Sequence, residues 1–212
     1  MPKVRGVVIL AGGRSTRFGS TDKATAFLAG RAMIRHVIDR LDPITDELVI
    51  NCRETQRERI ERCIEGISTR AVFAIDPEPD LGPVAGIATG LAALDRADVS
   101  FVVACDMPFV EPTVVEALFE AIGTADAAVP QVDDEWLEPT HAVYRTEPMI
   151  RACRDTLASG DHRIRGALER LTVNIVPANA IASPDQLQAF TNINTREEFA
   201  AAADQLDDTK DA

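Results

Sequence analysis

The sequence predicts an α/β fold, with a single domain built as a three-layer, doubly wound, mostly parallel sheet. Three observations predict it. Short apolar runs of strand length recur at residues 4–10, 47–52, 70–75 and 99–105, as in strands covered on both faces. Between them, apolar residues return at helical spacing, so strand and helix alternate as in repeated βαβ units. No linker or shift of composition divides the 212 residues, and a hydrophobic content of 46% suffices for one core.

The elements follow in order. The first run, interrupted only by Arg5 and Gly6, ends at Leu10 and passes into Gly12-Gly13 and a polar loop carrying Arg14, Arg17 and Lys23. Residues 26–33 read as a short extended piece turning at Gly30. Ile34, Val37, Ile38 and Leu41 mark a helix that packs on the sheet and ends near Pro43. ELVINC (47–52) is the second strand, Ile60, Cys63, Ile64 and Ile67 the next helix face, and RAVFAI (70–75) a third strand closing on Asp76-Pro77. A Pro/Gly-rich loop, EPDLGPVAG (78–86), precedes a helix face of Ile87, Leu91 and Leu94. VSFVVAC (99–105) is the most apolar run, hence a central strand, and it leads directly into Asp106-Met107-Pro108.

Val115, Leu118, Phe119 and Ile122 make another helix, followed by a strand at 125–130. The last third is less regular. It holds an acidic loop at 131–139 with the single Trp, an antiparallel strand at 140–144, a helix at 148–157 and a charged turn at 159–165. A strand at 171–176 and a loop at 177–184 follow, and FTNINT (190–195) leads into a helix from Arg196. Thr195 and Glu198 have capping-box spacing. The domain is read as 1–205, with 206–212 a disordered acidic tail.

The junction at residues 10–23 is where chemistry is expected. Glycines let a ligand approach the backbone closely, and successive exposed N–H groups form an anion-binding concavity. Arg17 and Lys23 add cationic reach to phosphate oxygens. A P-loop is excluded, because Lys23 is followed by Ala24 and the glycine spacing is wrong. The dinucleotide fingerprint fails too, since Gly12, Gly13 and Gly19 do not have its spacing. A nucleotide or other polyphosphate site remains, with a plain strand-to-helix turn as the alternative. Asp106 ends the central strand at the sheet's carboxyl edge, where a carboxylate suits either Mg²⁺ or a helix cap.

Composition removes several classes. A net charge of −12 opposes nucleic acid and anionic membranes, and aromatics at 5% are too few for base-stacking platforms. Lysine occurs only at 3, 23 and 210; with abundant acid and alanine this points to adaptation to high salt. Cys52, Cys63, Cys105 and Cys153 have neither CxxC nor zinc-finger spacing, so free thiols are expected. No signal-peptide pattern and no membrane-length apolar run is present, so the cytoplasm is the expected compartment.

LAGGRSTRFGSTDK, residues 10–23, resembles the signature of the MobA-type molybdenum cofactor guanylyltransferases, within the Rossmann-like, glycosyltransferase-A-type nucleotidyltransferases. Ser15 and the Asp22-Lys23 pair favour that branch over the sugar-nucleotide pyrophosphorylases and isoprenoid cytidylyltransferases, and Phe18 is a mild departure from it. Further segments resemble the family in the same order: Asn51, Asp76, the Gly82-Pro83-Val84-Ala85-Gly86 loop, VVACDMPF around Asp106, and Asn192-Ile193-Asn194-Thr195.

The resemblance implies transfer of GMP from GTP to molybdopterin or the molybdenum cofactor, with Mg²⁺ as the metal and pyrophosphate released. Arg17, Lys23 and Asp106 would then be catalytic, with Asp106 on the metal. Leu10, Ala11, Gly12, Gly13, Asn51 and Asp76 would hold the nucleotide. Gly82, Gly86, Asn192 and Asn194 would face substrate. A molybdoenzyme or cofactor-maturation protein is implied as a partner. Molybdopterin cytidylyltransferase, adenosylcobinamide-phosphate guanylyltransferase and a non-catalytic nucleotide-binding protein are the alternatives on the same fold. His141 is expected to be a buried structural histidine, His36 a surface or packing residue, and His162 to lie in a turn.

Overall fold

Strand and helix alternate through the first half of the chain as β1 (Arg5–Leu10), β2 (Phe27–Leu28), β3 (Arg31–Ala32), α1 (Met33–Leu41), β4 (Glu47–Cys52), α2 (Glu54–Cys63), β5 (Ala71–Ile75), α3 (Gly82–Ala92), β6 (Val99–Ala104) and α4 (Pro112–Ala121). The second half adds β7 (Ala127–Gln131), β8 (His141–Arg145), α5 (Thr146–Ala158), α6 (Ile164–Leu168), β9 (Val173–Pro177), α7 (Ala178–Ile181) and α8 (Arg196–Asp208). The computed structural model describes residues 4–13, 22–77, 81–133 and 136–208. Arg14 and Arg17 therefore lie outside the described residues, as do Ser15 and Phe18.

Seven strands form one sheet in the order β5-β4-β1-β6-β8-β7-β9. β5, β4, β1 and β6 run parallel, β8 runs antiparallel to both β6 and β7, and β9 is parallel to β7. The sheet is thus mostly parallel, with one reversed strand beside the central one.

Alternate residues of each central strand enter opposite layers, which is why those strands read as unbroken apolar runs. Val7, Ile9, Phe101 and Val103 pack with Ile34 and Ile38 of α1, Ile60 of α2 and Leu118 of α4. Val8 and Val102 turn to the other face, against Ile87 and Leu91 of α3 and Met149 and Cys153 of α5. Gly90 makes the second layer close: a Cβ there would lie 2.4 Å from Val8 Cγ1.

Outside the central sheet the structure adds detail to the expected elements. Residues 27–32 form a tight hairpin, and the turn expected at Gly30 runs through Ala29 (φ 47°) and Gly30 (φ 79°). Positive φ at both central positions gives the twist that two-residue hairpins favour. The loop at 177–184 contains the single turn of α7. α8 runs on to Asp208, past the expected start of a tail at 206, because Leu206 is buried with Leu28, Met33 and Ala202. The capping box forms: Glu198 N donates to Thr195 Oγ1 at 3.1 Å, and Thr195 N donates to Glu198 Oε2 at 2.9 Å.

Candidate active site

Because β1, β4, β5 and β6 are parallel and in register, their carboxyl ends reach one edge together. Ala11 N donates to Asn51 O at 2.8 Å on one side of the glycine loop, and Cys105 N donates to Leu10 O at 3.0 Å on the other. Residues 10–13 are therefore held between the end of β4 and the end of β6. This is the crevice in which open α/β sheets bind ligands.

On the β6 side, Lys23 Nζ lies 2.5 Å from Asp106 Oδ2, with the two side chains only 12% and 18% exposed. A charge pair so short and so little hydrated is a strong, directional contact. Lys23 Nζ also donates to Asn194 Oδ1 at 3.0 Å, and Ile193 N donates to Asp106 O at 2.9 Å. The segment before α8 is thereby laid against the end of β6. Asp106 Oδ1 is buried and has no hydrogen-bond partner among the described residues. A buried carboxylate oxygen without a partner among the described residues is the type of donor that a hard cation takes as a ligand. No cluster of three or more His, Cys, Asp or Glu side chains suited to a metal occurs among the described residues.

On the β4 side, Asn51 is buried and donates to Asp76 Oδ1 at 2.7 Å and to Ala74 O at 3.2 Å. Burial pushes the Asp76 carboxyl above its ordinary value, against the opposing hydrogen bonds from Asn51 and Thr89. Two glycines make room for this pair. A Cβ on Gly12 would lie 3.0 Å from Asp76 Oδ2, and one on Gly86 would lie 2.5 Å from Asn51 Oδ1. A Cβ on Gly13 would meet nothing within 4 Å among the described residues. Gly82 lies apart from this group: at φ +75° it packs against the backbone of His162.

Asn192 is turned the other way. Its Nδ2 donates to Glu138 Oε2 at 3.0 Å, and Glu138 also accepts from Thr140 Oγ1 at 2.5 Å and from Trp136 Nε1 at 3.4 Å. Glu138 is 4% exposed, a buried carboxylate satisfied by neutral donors. Sequence patterning gives no warning of it. Gln56 was also not legible as a site neighbour, although its place three residues after Arg53 is the capping-box position.

The histidines sort themselves by burial. His141 is fully buried between Phe101 and Phe190, and burial pushes its imidazole down to about 3, so it stays neutral. His36 is buried with Nε2 2.8 Å from Leu28 O, and exposed His162 has Nδ1 3.3 Å from Leu81 O. All four cysteines are free. Burial pushes the Cys52 and Cys153 thiols up to about 12 and raises Cys105 further, so none is a thiolate nucleophile at neutral pH. No helix among the described residues is long and apolar enough to cross a membrane.

Residues 7–175 match the MobA-like NTP transferase domain. The chain is 43% identical over 199 residues to the probable molybdenum cofactor guanylyltransferase of Natronomonas pharaonis, covering 94% of this chain and 96% of that one. It is 36% identical over 197 residues to a protein of the same name from Haloferax mediterranei, covering 93% and 92%. The crystal structure of molybdopterin-guanine dinucleotide biosynthesis protein A from Archaeoglobus fulgidus matches with a TM-score of 0.78 at 27% identity, covering 96% of this chain and 99% of that one. Agreement in fold, in sequence and over nearly the full length assigns this chain to the MobA-like NTP transferase family.

Proposed function

We propose that this protein is a molybdenum cofactor guanylyltransferase, moving GMP from GTP to the terminal phosphate of molybdopterin and releasing pyrophosphate. The observation that carries the reading is the Lys23–Asp106 pair at 2.5 Å, set beside the glycine loop at the carboxyl edge of the sheet. The names of the relatives point the same way.

The reaction is an in-line displacement. An oxygen of the acceptor phosphate bonds to the α-phosphorus of GTP as the bond from that phosphorus to the pyrophosphate oxygen breaks. The nucleophile is already ionised, so the protein has no proton to remove; it must position and neutralise charge. In this reading the backbone of Leu10, Ala11, Gly12 and Gly13 receives the nucleotide. Asn51 and Asp76 fix the nucleoside through amide and carboxylate hydrogen bonds. Lys23 exchanges Asp106 for the triphosphate and stabilises the charge that builds on the leaving pyrophosphate, with Arg17 as a second cation.

Asp106 fits Mg²⁺, because its Oδ1 is buried and unpartnered among the described residues. A bound Mg²⁺ would supply electrostatic stabilisation of phosphate oxygens. Gly86 keeps Asn51 in place, and Asn192 and Asn194 stand on the acceptor side. The product passes to a molybdoenzyme or cofactor-maturation protein.

Melting curves with Mg²⁺ and each nucleotide test the donor: GTP raises Tm and CTP does not. Release of pyrophosphate from GTP only when molybdopterin is added tests the transfer. A larger shift with CTP, or no release with any pterin acceptor, would reject the reading.

A further inference from the structure

We infer that Gln56, a residue that touches no reacting group, is a positioning residue for the nucleotide loop and for Lys23. The inference rests on the nucleotidyl-transfer reading given above. Gln56 sits in the first turn of α2 and is 2% exposed. Both hydrogens of its amide are spent on the site: Nε2 donates to Ala11 O at 2.8 Å and to Asp22 Oδ2 at 2.6 Å. Its Oε1 accepts from Arg53 N at 2.9 Å. That third bond fixes which way round the amide lies, since the flipped amide would turn its oxygen onto two acceptors.

The two groups it joins stand at opposite ends of the loop. Ala11 precedes Gly12-Gly13. Asp22 caps the turn that carries Lys23, accepting from Ala24 N at 3.0 Å through its Oδ1. Arg53 reinforces the same junction, with NH2 3.3 Å from Gly13 O and 3.9 Å from Asp22 Oδ2. α2 itself is rooted in the core by Ile60, fully buried beneath the sheet. A rigid helix thus holds the glycine backbone and the turn of Lys23 in fixed relation. A bond from an amide to a carboxylate that is 10% exposed is charge-assisted, and among the described residues no other group satisfies Asp22 Oδ2 as closely. Without it Lys23 keeps its charge but loses its bearing on Asp106.

Three variants test this: Gln56→Leu, Gln56→Glu and, in case Leu fails to fold, Gln56→Met. The expected result for Leu or Met is a folded protein whose kcat/KM for GTP falls about ten- to a hundredfold, as small misplacements of catalytic groups do. Gln56→Glu sets a second carboxylate against Asp22. Its activity relative to wild type is lowest at pH 8 and recovers towards pH 5.5, where the two carboxylates share one proton and the bond to Asp22 returns. A purely structural role lowers Tm in all variants but leaves kcat/KM at the wild-type value and the pH ratio flat, and that outcome overturns the proposal. The nucleotide reading fails separately, if wild-type protein shows no rise in Tm with GTP and Mg²⁺.

Discussion

Lys23 and Asp106 neutralise one another across 2.5 Å, so each depends on the other as long as no triphosphate is bound. Lys23→Ala and Asp106→Ala should each cut pyrophosphate release at least about a hundredfold, because preorganised charge is the dominant catalytic contribution in such sites. The double variant should be little worse than either single one, since partners in one contact are not additive. Asp76 gives a prediction of opposite sign for stability. Its folded carboxyl titrates above its unfolded value, so folding favours the protonated form and the charged form costs stability at neutral pH. Asp76→Asn should therefore raise Tm at pH 7. The gain should shrink as pH falls through the raised value towards that of the unfolded chain, where the wild-type carboxyl is neutral as well. GTP should meanwhile shift Tm less in this variant than in wild type. Scanning calorimetry across pH, with and without GTP, measures both.

At the scale of elements, α3 shows how two glycines in one helix do different work. Gly90→Ala puts a methyl 2.4 Å from Val8 Cγ1 in a packed layer, and overpacking of this kind costs about 1–3 kcal/mol. It should lower the denaturant midpoint and leave kcat/KM unchanged in the folded protein. Gly86→Ala drives its methyl onto Asn51 Oδ1 at 2.5 Å and should weaken GTP binding in particular, read as a smaller nucleotide-induced rise in Tm. The strands of the first half were legible because burial on both faces writes an unbroken apolar run: 47–52 was expected and Glu47–Cys52 is found. The reversed β8 was legible too, as a short apolar piece after a Pro-containing loop. α6 and α7 were not, because a helix of one turn carries no period to detect. Asn51 and Asp76 stand out at strand ends, yet their contact, and the ties of Gln56 and Glu138, join residues far apart in sequence that no spacing reveals.

For the whole molecule, a formal charge of −12 on 212 residues means self-repulsion in dilute buffer. Raising salt from about 0.1 M to about 1 M shortens the screening length from about 10 Å to about 3 Å. Tm should rise across that range. A Tm that is flat or falling with KCl would show that local pairs such as Arg96–Glu47, 2.9 Å apart, outweigh the global charge. The same negative charge opposes the approach of an anionic nucleotide, so screening should speed nucleotide association as it stabilises the fold.

The segment that closes the β6 side of the crevice comes from far along the chain: Ile193 binds the Asp106 carbonyl and Asn194 binds the Lys23 amine. During synthesis, the first strand and its glycines leave the ribosome long before that segment exists. Until that segment is made, the crevice lacks its wall on the β6 side. On the proposed function, turnover of GTP should then wait until translation has passed residue 194, and products of synthesis interrupted before it should be inert towards the nucleotide pool.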